Sequence, residues 1–581
     1  MAGLYLTRTD DPERTRTRID AAARQYADHG FAQPTPIAIP GWTGMHFGYV
    51  QGGPATWHRV GEDLIAVAGT LTYAGRIGTA ALAALLDDYR GGDPDWSRLG
   101  GQFSALVVKD GRAWAFCDWF AAHQLHHDTG DTLFSTSLTA ALVSLPRVSF
   151  DAQGVYEYAF NVVPIGDDTV FAELKTLGPG MVVELTHEGV VRHRHDRPLP
   201  DLAREEPLPE RIERHRGALS NTLRAHLGHF RTVHAPLSGG LDSRLLLAAL
   251  RAEGVDPALY VYGTRDDEDV VIAEAMAAAL GFGVEWVDKD GVFSPTPEAF
   301  PAVVEANFKA WDALPTFGNI FDNGGAVWAR NKRHAGGGLA ASGGCGEVWR
   351  DFFFLPDRPL SARTVARSFF ARFDPRDATA LFDPRAFLEA IEGKIADALG
   401  APAPTTRLSR QWIEQAYPRV RCRSLFGREI SLESRQGAYA MPFLDQHVVA
   451  EAMKLPMALK QAGDFESRLL NAIDPVLAAQ PSAYGHDFAS GPDRRHRRSE
   501  WSSRVRPTWL RQRSYALQRR LRPMGDEHGG LLEADYMRRV IDLKMPLMAR
   551  FFCVERVTDS AVWRRLAALE YLGTWLGGRL A

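Results

Sequence analysis

Pro236-Leu237-Ser238-Gly239-Gly240-Leu241-Asp242-Ser243 is the stretch on which the reading of this chain turns. An apolar run, Val233 to Leu237, precedes it and reads as a strand. A helical run, Leu245 to Arg251, follows. A strand, a Ser/Gly-rich turn and a helix start together form an anion cradle, because successive N–H groups point into the turn and the helix N-terminus adds partial positive charge. Gly239 and Gly240 lack a Cβ, so the expectation is unusual φ/ψ and close approach of backbone to ligand. Ser238 and Ser243 can donate hydroxyl hydrogen bonds. Asp242 is out of place beside phosphate unless a hard cation shields it, which points to Mg²⁺. The stretch lacks the Gly-Lys-Ser/Thr ending of a Walker loop.

Working outward, the segments around this turn alternate. Arg211 to Leu227 predicts a helix, Val233 to Leu237 a strand, Leu241 to Glu253 a helix, Ala258 to Tyr262 a strand, Asp269 to Leu280 a helix and Val284 to Val287 a strand. Such alternation predicts a parallel sheet covered by helices, with ligands at the carboxyl ends of its strands. Residues 1–200 read differently. They are β-rich, with strands including Leu64 to Ala68, Phe103 to Lys109 and Met181 to Leu185, and helices including Thr79 to Tyr89 and Ala152 to Phe160. Pro198 to Pro209 reads as a linker. The expected organisation is therefore a first domain over 1–200 and a second over 210–581, mostly helical after about 360.

The 581 residues exceed what one core usually covers. A hydrophobic content of 45% and a charged content of 24% are ordinary for a globular protein, and a net charge of −4 exerts no global pull on nucleic acid or anionic membrane. Cys117, Cys345, Cys422 and Cys553 are scattered without CxxC spacing, which fits a reducing, cytoplasmic setting. The N-terminus shows no secretory signal, and no apolar run approaches a membrane span.

The loop resembles the pyrophosphate loop of the N-type ATP pyrophosphatases, and over most of its length the chain resembles the asparagine synthetase superfamily. Gly101-Gln102-Phe103-Ser104-Ala105-Leu106, Phe134-Ser135-Thr136-Ser137 and the stretch Asp151 to Gly180 resemble the N-terminal glutamine-hydrolysing domain. Ala341-Ser342-Gly343-Gly344-Cys345-Gly346-Glu347-Val348-Trp349 resembles the second nucleotide motif. Met441-Pro442-Phe443-Leu444-Asp445 resembles a later landmark. The implied fold is an α/β multidomain protein. It comprises an N-terminal Ntn-hydrolase-like α+β glutaminase-type domain, degenerate here, and a C-terminal α/β adenine-nucleotide alpha-hydrolase-like synthetase domain with many helices.

The departures narrow the function. Glutamine-hydrolysing members carry cysteine directly after the initiator methionine, where this chain has Ala2, and Cys117 offers no free α-amine. Glutamine hydrolysis is therefore not expected. β-Lactam synthetases share that loss, but Gly344 stands where they have a tyrosine, and Asp464 where the superfamily has a lysine, with Glu466 and Arg468 nearby. The lasso-peptide macrolactam synthetases fit better: Cys345 to Pro356, Asp474-Pro475 and Pro481 to Phe488 resemble theirs. The resemblance implies an AMP-forming ligase that adenylates a side-chain carboxylate of a precursor peptide and closes a macrolactam. ATP and Mg²⁺ are the implied cofactors; a core peptide and a leader peptidase are the implied partners, with neither nucleic acid nor membrane. Asp242 and Glu347 would hold the metal. Leu237 to Ser243, Val261, Tyr262, Gly263, Ser342 and Gly343 would frame the nucleotide. Asp242, Glu347, Asp464 and Glu466 are the catalytic candidates, and Glu433 and His486 are further candidates for the base. A small-molecule carboxylate–amine ligase and a non-catalytic scaffold for nucleotide and peptide remain alternatives.

Three other features carry less. Arg494 to Arg522 is strongly basic, with Trp501, Trp509 and Tyr515 interleaved; a solvated face is expected, with docking of an acidic peptide as the functional alternative. His123, His126 and His127, and likewise His193 and His195, are expected on a polar surface rather than on a metal. Among Arg419, Arg421, Arg423 and Arg428, one or two are candidates to meet pyrophosphate.

Overall fold

The structure, a computed structural model, describes residues 3–521 and 530–581. It is a mixed α/β protein with many helices. The first 195 residues build two antiparallel sheets. One runs in the order Leu174–Thr176, His126–Asp128, Leu133–Ser135, Gly3–Arg8, Trp42–Phe47, Thr35–Ile39. The other runs Gly189–Arg194, Met181–Thr186, Arg112–Cys117, Leu99–Lys109, Asp63–Tyr73, Trp57–Val60. Successive side chains of a strand point to opposite faces. Leu4 and Leu6 therefore meet Leu64, Ala66 and Leu106 between the sheets, while Tyr5 turns outward onto Tyr26 of the helix Pro12–Asp28. Ile65, Phe103 and Trp114 turn outward onto Leu82, Leu85 and Leu86 of the helix Thr79–Asp88. Both sheets are covered on both faces, which explains their near-continuous apolar strands.

Helix α1 (Leu208–Leu227) leads into a five-stranded parallel sheet. Its strands are β1 (Val233–Pro236), β2 (Ala258–Tyr262), β3 (Glu285–Val287), β4 (Leu339–Ala341) and β5 (Tyr439–Ala440), in the spatial order β3-β2-β1-β4-β5. Helix α2 (Leu241–Ala252) joins β1 to β2, and α3 (Glu268–Leu280) joins β2 to β3. Helices α4 (Phe300–Ala310) and α5 (Gly325–His334) lie between β3 and β4. The chain builds outward from β1 in one direction and then returns to the other side with β4. The crevice between the loops after β1 and β4 is thus the topological switch point, where sheets of this kind bind ligands.

The expected helical region after 360 is interrupted in two ways. Strand β5 was not foreseen, since two residues give no period to read. Two stretches, Ala366–Phe370 and Tyr417–Phe426, are π-helical. Helix α6 (Gly427–Gln436) leads into β5; beyond lie α7 (Asp464–Ile473), α8 (Arg494–Val505), α9 (Thr508–Leu521) and α10 (Ser560–Leu576).

The sheets meet end to end. The Met441 N–H donates to Gln102 Oε1 at 3.2 Å, the Tyr439 N–H to Thr70 Oγ1 at 3.0 Å and the Val50 N–H to the Arg435 carbonyl at 3.0 Å. Asp312, fully buried, accepts the Leu138 and Thr139 N–H groups at 2.7 and 2.9 Å and pairs with Arg435 at 2.6 Å. The chain's end returns to the first sheets: the Ala581 N–H donates to the Val148 carbonyl at 2.8 Å. Among the described residues, no helix is long and apolar enough to cross a membrane.

Candidate active site at the switch point

The turn after β1 is held from within. The Ser238 N–H donates to Ser243 Oγ at 3.1 Å, the two serine hydroxyls lie 3.0 Å apart, and the Gly240 N–H donates to Ser238 Oγ at 3.2 Å. The Gly239 N–H donates to Asp269 Oδ1 at 2.8 Å, anchoring the turn to α3. The Leu237 N–H donates to the Tyr260 carbonyl at 2.8 Å. Neither Gly239 nor Gly240 adopts a positive φ, contrary to the expectation of unusual backbone. Crowding accounts for Gly239, whose Cβ would sit 3.0 Å from Ala483 and 3.1 Å from Asp269 Oδ1. A Cβ on Gly240 would meet only Ser238 Oγ, at 3.4 Å, so backbone is open to approach there. The segment quoted above from Pro481 onward braces this turn: the Ala483 N–H donates to the Gly239 carbonyl, and buried Arg244 donates to the carbonyls of Gln480 and Pro481.

The loop after β4 closes the other wall. A Cβ at Gly343 would lie 2.8 Å from the Asp242 carbonyl oxygen, and one at Gly346 would lie 2.6 Å from the Asp242 carboxyl carbon. These glycines admit Asp242 between the loops. A Cβ at Gly344 would strike Met441 Cε at 2.9 Å and Phe426 at 3.1 Å. Ser342 is tied into the sheet, its N–H donating to the Ala440 carbonyl at 2.9 Å. Val261 is buried, the Tyr262 ring lies tilted with its centre 5.1 Å from that of Tyr260, and Gly263 (φ +139°) has Asp267 where a Cβ would be.

Three of the four catalytic candidates converge. Arg350 pairs with Asp242, with Glu466 at 3.0 Å and, more loosely, with Glu347 at 3.9 Å. Tyr417 donates its hydroxyl to Glu347 at 2.5 Å, and Arg350 donates to the Tyr484 hydroxyl at 3.1 Å. Burial raises the Glu466 pKa well above the carboxylate range; Arg350 opposes the rise and Asp242 adds to it. Burial likewise raises Asp242, with Arg350 lowering and Glu347 raising it. Burial works against the charge on Arg350, but the carboxylates of Asp242, Glu466 and Glu347 outweigh it and hold the pKa well above its ordinary value. Three carboxyl groups around one guanidinium form an acid-rich cluster, and neither oxygen of Glu466 has a hydrogen-bond donor of good geometry. Oxygen donors with surplus negative charge beside a phosphate cradle suit a hard divalent cation. Asp242 and Glu347 are the oxygen donors that would hold it, completed by phosphate oxygens. The described residues contain no group of three or more ligands that would form a metal cage by themselves.

Asp464 stands apart, at the start of α7, where it pairs with Arg468 at 2.8 Å and Arg497 at 3.2 Å. Glu433 is buried and engaged by Arg330 at 2.7 Å, Arg333 at 3.0 Å and His334 at 2.9 Å. His486 Nδ1 lies 3.2 Å from the Tyr484 carbonyl. The sequence reading gave no role to Arg350 or Tyr417. Arg350 follows Glu347 by three residues, a spacing that brings side chains together on a helical turn, but its long reach to Asp242 and Glu466 had no local signal.

Beside Glu347 and Arg350 opens a cavity of about 790 Å³, walled by Phe352, Phe353, Phe369 and Arg421 and closed by α8 and α9. The basic segment splits between two tasks. Arg504 pairs with Asp351 at 2.9 Å and Arg511 donates to the carbonyls of Phe353 and Phe354, whereas Trp501 and Trp509 are about 60% exposed. Arg522 lies outside the described residues, as do Ala2 and the side chains of Arg513, Tyr515, Arg519 and Arg520. Of the four arginines near Cys422, Arg423 pairs with Asp167 at 2.5 Å and Arg428 with Asp312 at 3.3 Å, Arg419 donates to the Arg197 carbonyl, and only Arg421 lines this cavity. The histidines 123, 126 and 127 are buried, not on a polar surface: strand pairing holds His126 and His127, and His123, outside the strand, lies with its Nδ1 2.8 Å from Ser104 Oγ.

No protein-family model and no curated protein matches the chain. Among solved structures, it is similar to the glutamine phosphoribosylpyrophosphate amidotransferase from B. subtilis complexed with ADP and GMP. The identity is 13% over 51% of this chain and 69% of that one, with a TM-score of 0.23. A second, described as the allosteric regulatory enzyme of purine biosynthesis, is 12% identical over 49% of this chain and 64% of that one, also at 0.23. Likenesses of that size carry no argument about fold or activity.

Proposed function

We propose that this protein is an ATP- and Mg²⁺-dependent, AMP-forming amide ligase of the asparagine synthetase type, and that it closes a macrolactam on a precursor peptide. One observation carries the reading. The Ser238–Ser243 cradle and the acid cluster of Asp242, Glu347 and Glu466 face one crevice at the switch point of a parallel sheet. A phosphate cradle with carboxylates inside it is suited to a metal-bound nucleotide and to attack at its α-phosphorus.

In this reading the α2 N-terminus and the Ser238 and Ser243 hydroxyls bind phosphate oxygens. Mg²⁺, when bound, neutralises charge developing on the departing pyrophosphate. A side-chain carboxylate of the peptide attacks the α-phosphorus, the bond to pyrophosphate breaks, and the acyl-adenylate forms. The N-terminal amine then attacks the acyl carbon, gives up a proton and expels AMP. Its free pKa lies near 8, so it must lose its proton before attack. Positioning of the folded peptide contributes roughly 7–11 kcal/mol in favourable cases. The first two sheets serve as a wall rather than a glutaminase, and a cytoplasmic site of action and a partner leader peptidase belong to the same proposal.

The test is mass spectrometry of a reaction with Mg·ATP and a leaderless precursor peptide. Loss of one water from the peptide, with AMP formed in step, supports the reading. An unchanged peptide, with AMP formed only when a free small acid and amine are supplied, overturns it in favour of a small-molecule ligase.

A further inference from the structure

The cavity beside the acid cluster has features that nucleotide binding at the switch point leaves unused. Both π-helical stretches border it. Ala366–Phe370 contributes Ser368 and Phe369, and Tyr417–Phe426 contributes Arg421. π-Helical turns are rare and gather at functional sites, because the wider turn displaces side chains that an α-helix would stack. Ser368 is 7% exposed, yet its Oγ finds no hydrogen-bond partner. A buried hydroxyl without a partner is costly unless something else meets it.

The charge pattern points the same way. Of the other arginines lining the cavity, Arg350 pairs with Asp242, Arg367 with Glu392, and Arg511 donates to the Phe353 and Phe354 carbonyls. Among the described residues, no carboxylate contacts Arg421. Its guanidinium lies 5.3 Å from the Phe369 ring centre, and that of Arg372 lies 4.6 Å from the same ring. Burial lowers the Arg421 pKa, Tyr417 and Glu347 oppose the drop, and Arg372 adds to it. A guanidinium at a cavity wall with no carboxylate in contact is a group that an incoming anion can pair with. Phe352 and Phe353 continue the wall, with ring centres 5.1 and 5.6 Å from Phe369, so the surface beside the charge is apolar and aromatic.

We propose that this cavity is a carboxylate subsite for the peptide. Arg421 seats a peptide carboxylate other than the one that is activated, Ser368 donates to it, and the Phe352–Phe353–Phe369 wall packs the apolar or aromatic residue next to it. The assignment rests on the ligase reading only for naming the ligand a substrate; the binding chemistry stands without turnover. The ligand class is an acidic peptide segment with an aromatic or aliphatic neighbour.

The test uses the full-length protein without nucleotide and two probes, acetyl-Phe-Asp-Phe-amide and its neutral twin acetyl-Phe-Asn-Phe-amide, with binding followed by saturation-transfer NMR and calorimetry. The wild type is expected to prefer the acidic probe by about tenfold or more, the scale of a charge-assisted hydrogen bond. Arg421→Gln is expected to erase that preference, Arg421→Lys to keep part of it, and Phe369→Leu to weaken both probes, with Mg·ATP affinity unchanged in all three. Unchanged Mg·ATP binding also shows that the variants fold. Equal binding of the two probes by the wild type, no binding of either at millimolar concentration, or a preference that survives Arg421→Gln overturns the subsite. A loss of Mg·ATP affinity in Arg421→Gln also overturns it, because the anion is then a phosphate. If the probe preference holds and no AMP is ever formed, the ligase reading falls while the subsite stands.

Discussion

Asp242 sits where phosphate cradle and acid cluster meet, so its loss tests both. Asp242→Ala is expected to slow pyrophosphate release by about 10²–10³-fold, the size of losing one electrostatic contact to a charge-developing transition state. Measurement of pyrophosphate with the peptide reaction checks this, and a folded melting profile excludes collapse. Glu466 makes a separate prediction. Its folded pKa is raised, chiefly by burial, so the native state holds a proton that the unfolded chain releases near pH 4.3. The stability this contributes is full below about pH 4.3 and is lost as pH rises to the folded pKa, by about 1.4 kcal/mol for each unit of the raise. Glu466→Gln cannot ionise. In nucleotide-free protein its melting temperature is therefore expected to gain on the wild type as pH rises from about 5 to 8, with saturating Mg·ATP shrinking the gap. A gap independent of pH sinks the idea. Because Asp242 and Glu466 interact, the pair rather than either residue titrates.

At the scale of elements, the crevice exists because two loops pass within contact of one another at the ends of β1 and β4. Gly346 leaves no room for a methyl group beside the Asp242 carboxyl, at 2.6 Å. Gly346→Ala is expected to displace the second loop at a cost of about 1–3 kcal/mol, with Mg·ATP affinity falling more steeply than the melting temperature. Isothermal titration set against thermal denaturation separates the two. Helix α8 is held by Arg504 to Asp351 at 2.9 Å, the Ala462 N–H to Glu500 at 2.6 Å, Arg497 to Asp464 at 3.2 Å and His496 stacked on Tyr484. Arg504→Ala leaves buried Asp351 with Arg410 alone, at 2.6 Å. It is expected to speed amide exchange in α8 well before global unfolding, as elements held by few buried contacts open first. Exchange in α8 matching that of the wild type refutes this.

Over the whole molecule, Asp312 couples the parallel sheet to the first sheets. It lies after α4 and caps the helix Leu138–Ser144 through the Leu138 and Thr139 N–H groups and the Ser137 hydroxyl, at 2.7, 2.9 and 2.8 Å. Arg428 and Arg435 answer its charge. Burial opposes its ionised form, but Arg435 and Arg428 outweigh burial and hold the carboxyl well below its ordinary range. Asp312→Ala leaves those guanidinium groups buried without their anion and is expected to cost about 3–5 kcal/mol, read by urea denaturation. With a depressed folded pKa, the contribution is full above the unfolded value of about 3.9 and is lost only as pH falls through the folded one. The gap between wild type and Asp312→Asn is therefore expected to stay constant from neutrality down to about pH 4 and to close below it. A gap that closes already near pH 6 argues against the ion cluster.

The alternation of strand and helix from 208 to 287 was legible in the sequence because burial there follows a local period, and the cradle was legible because it is contiguous: Ser238, Gly240 and Ser243 bond within six residues. Asp242 and Glu347 were nameable as a pair only through motif resemblance. Beyond that, sequence spacing failed for physical reasons. Strand β5 is two residues long and has no period of its own. His123, His126 and His127 looked like surface and are buried, His126 and His127 by strand pairing and His123 in the loop before them. Arg350 and Glu466 are separated by more than a hundred residues, and only the packing of α7 beside the switch point brings their charges to 3.0 Å. The sequence by itself thus determined the local elements and the phosphate turn, whose hydrogen bonds are short-range. The acid cluster around Arg350, the aromatic cavity and the Asp312 junction were decided by tertiary structure alone, because each depends on long-range contacts whose energy is realised only once distant segments are buried together.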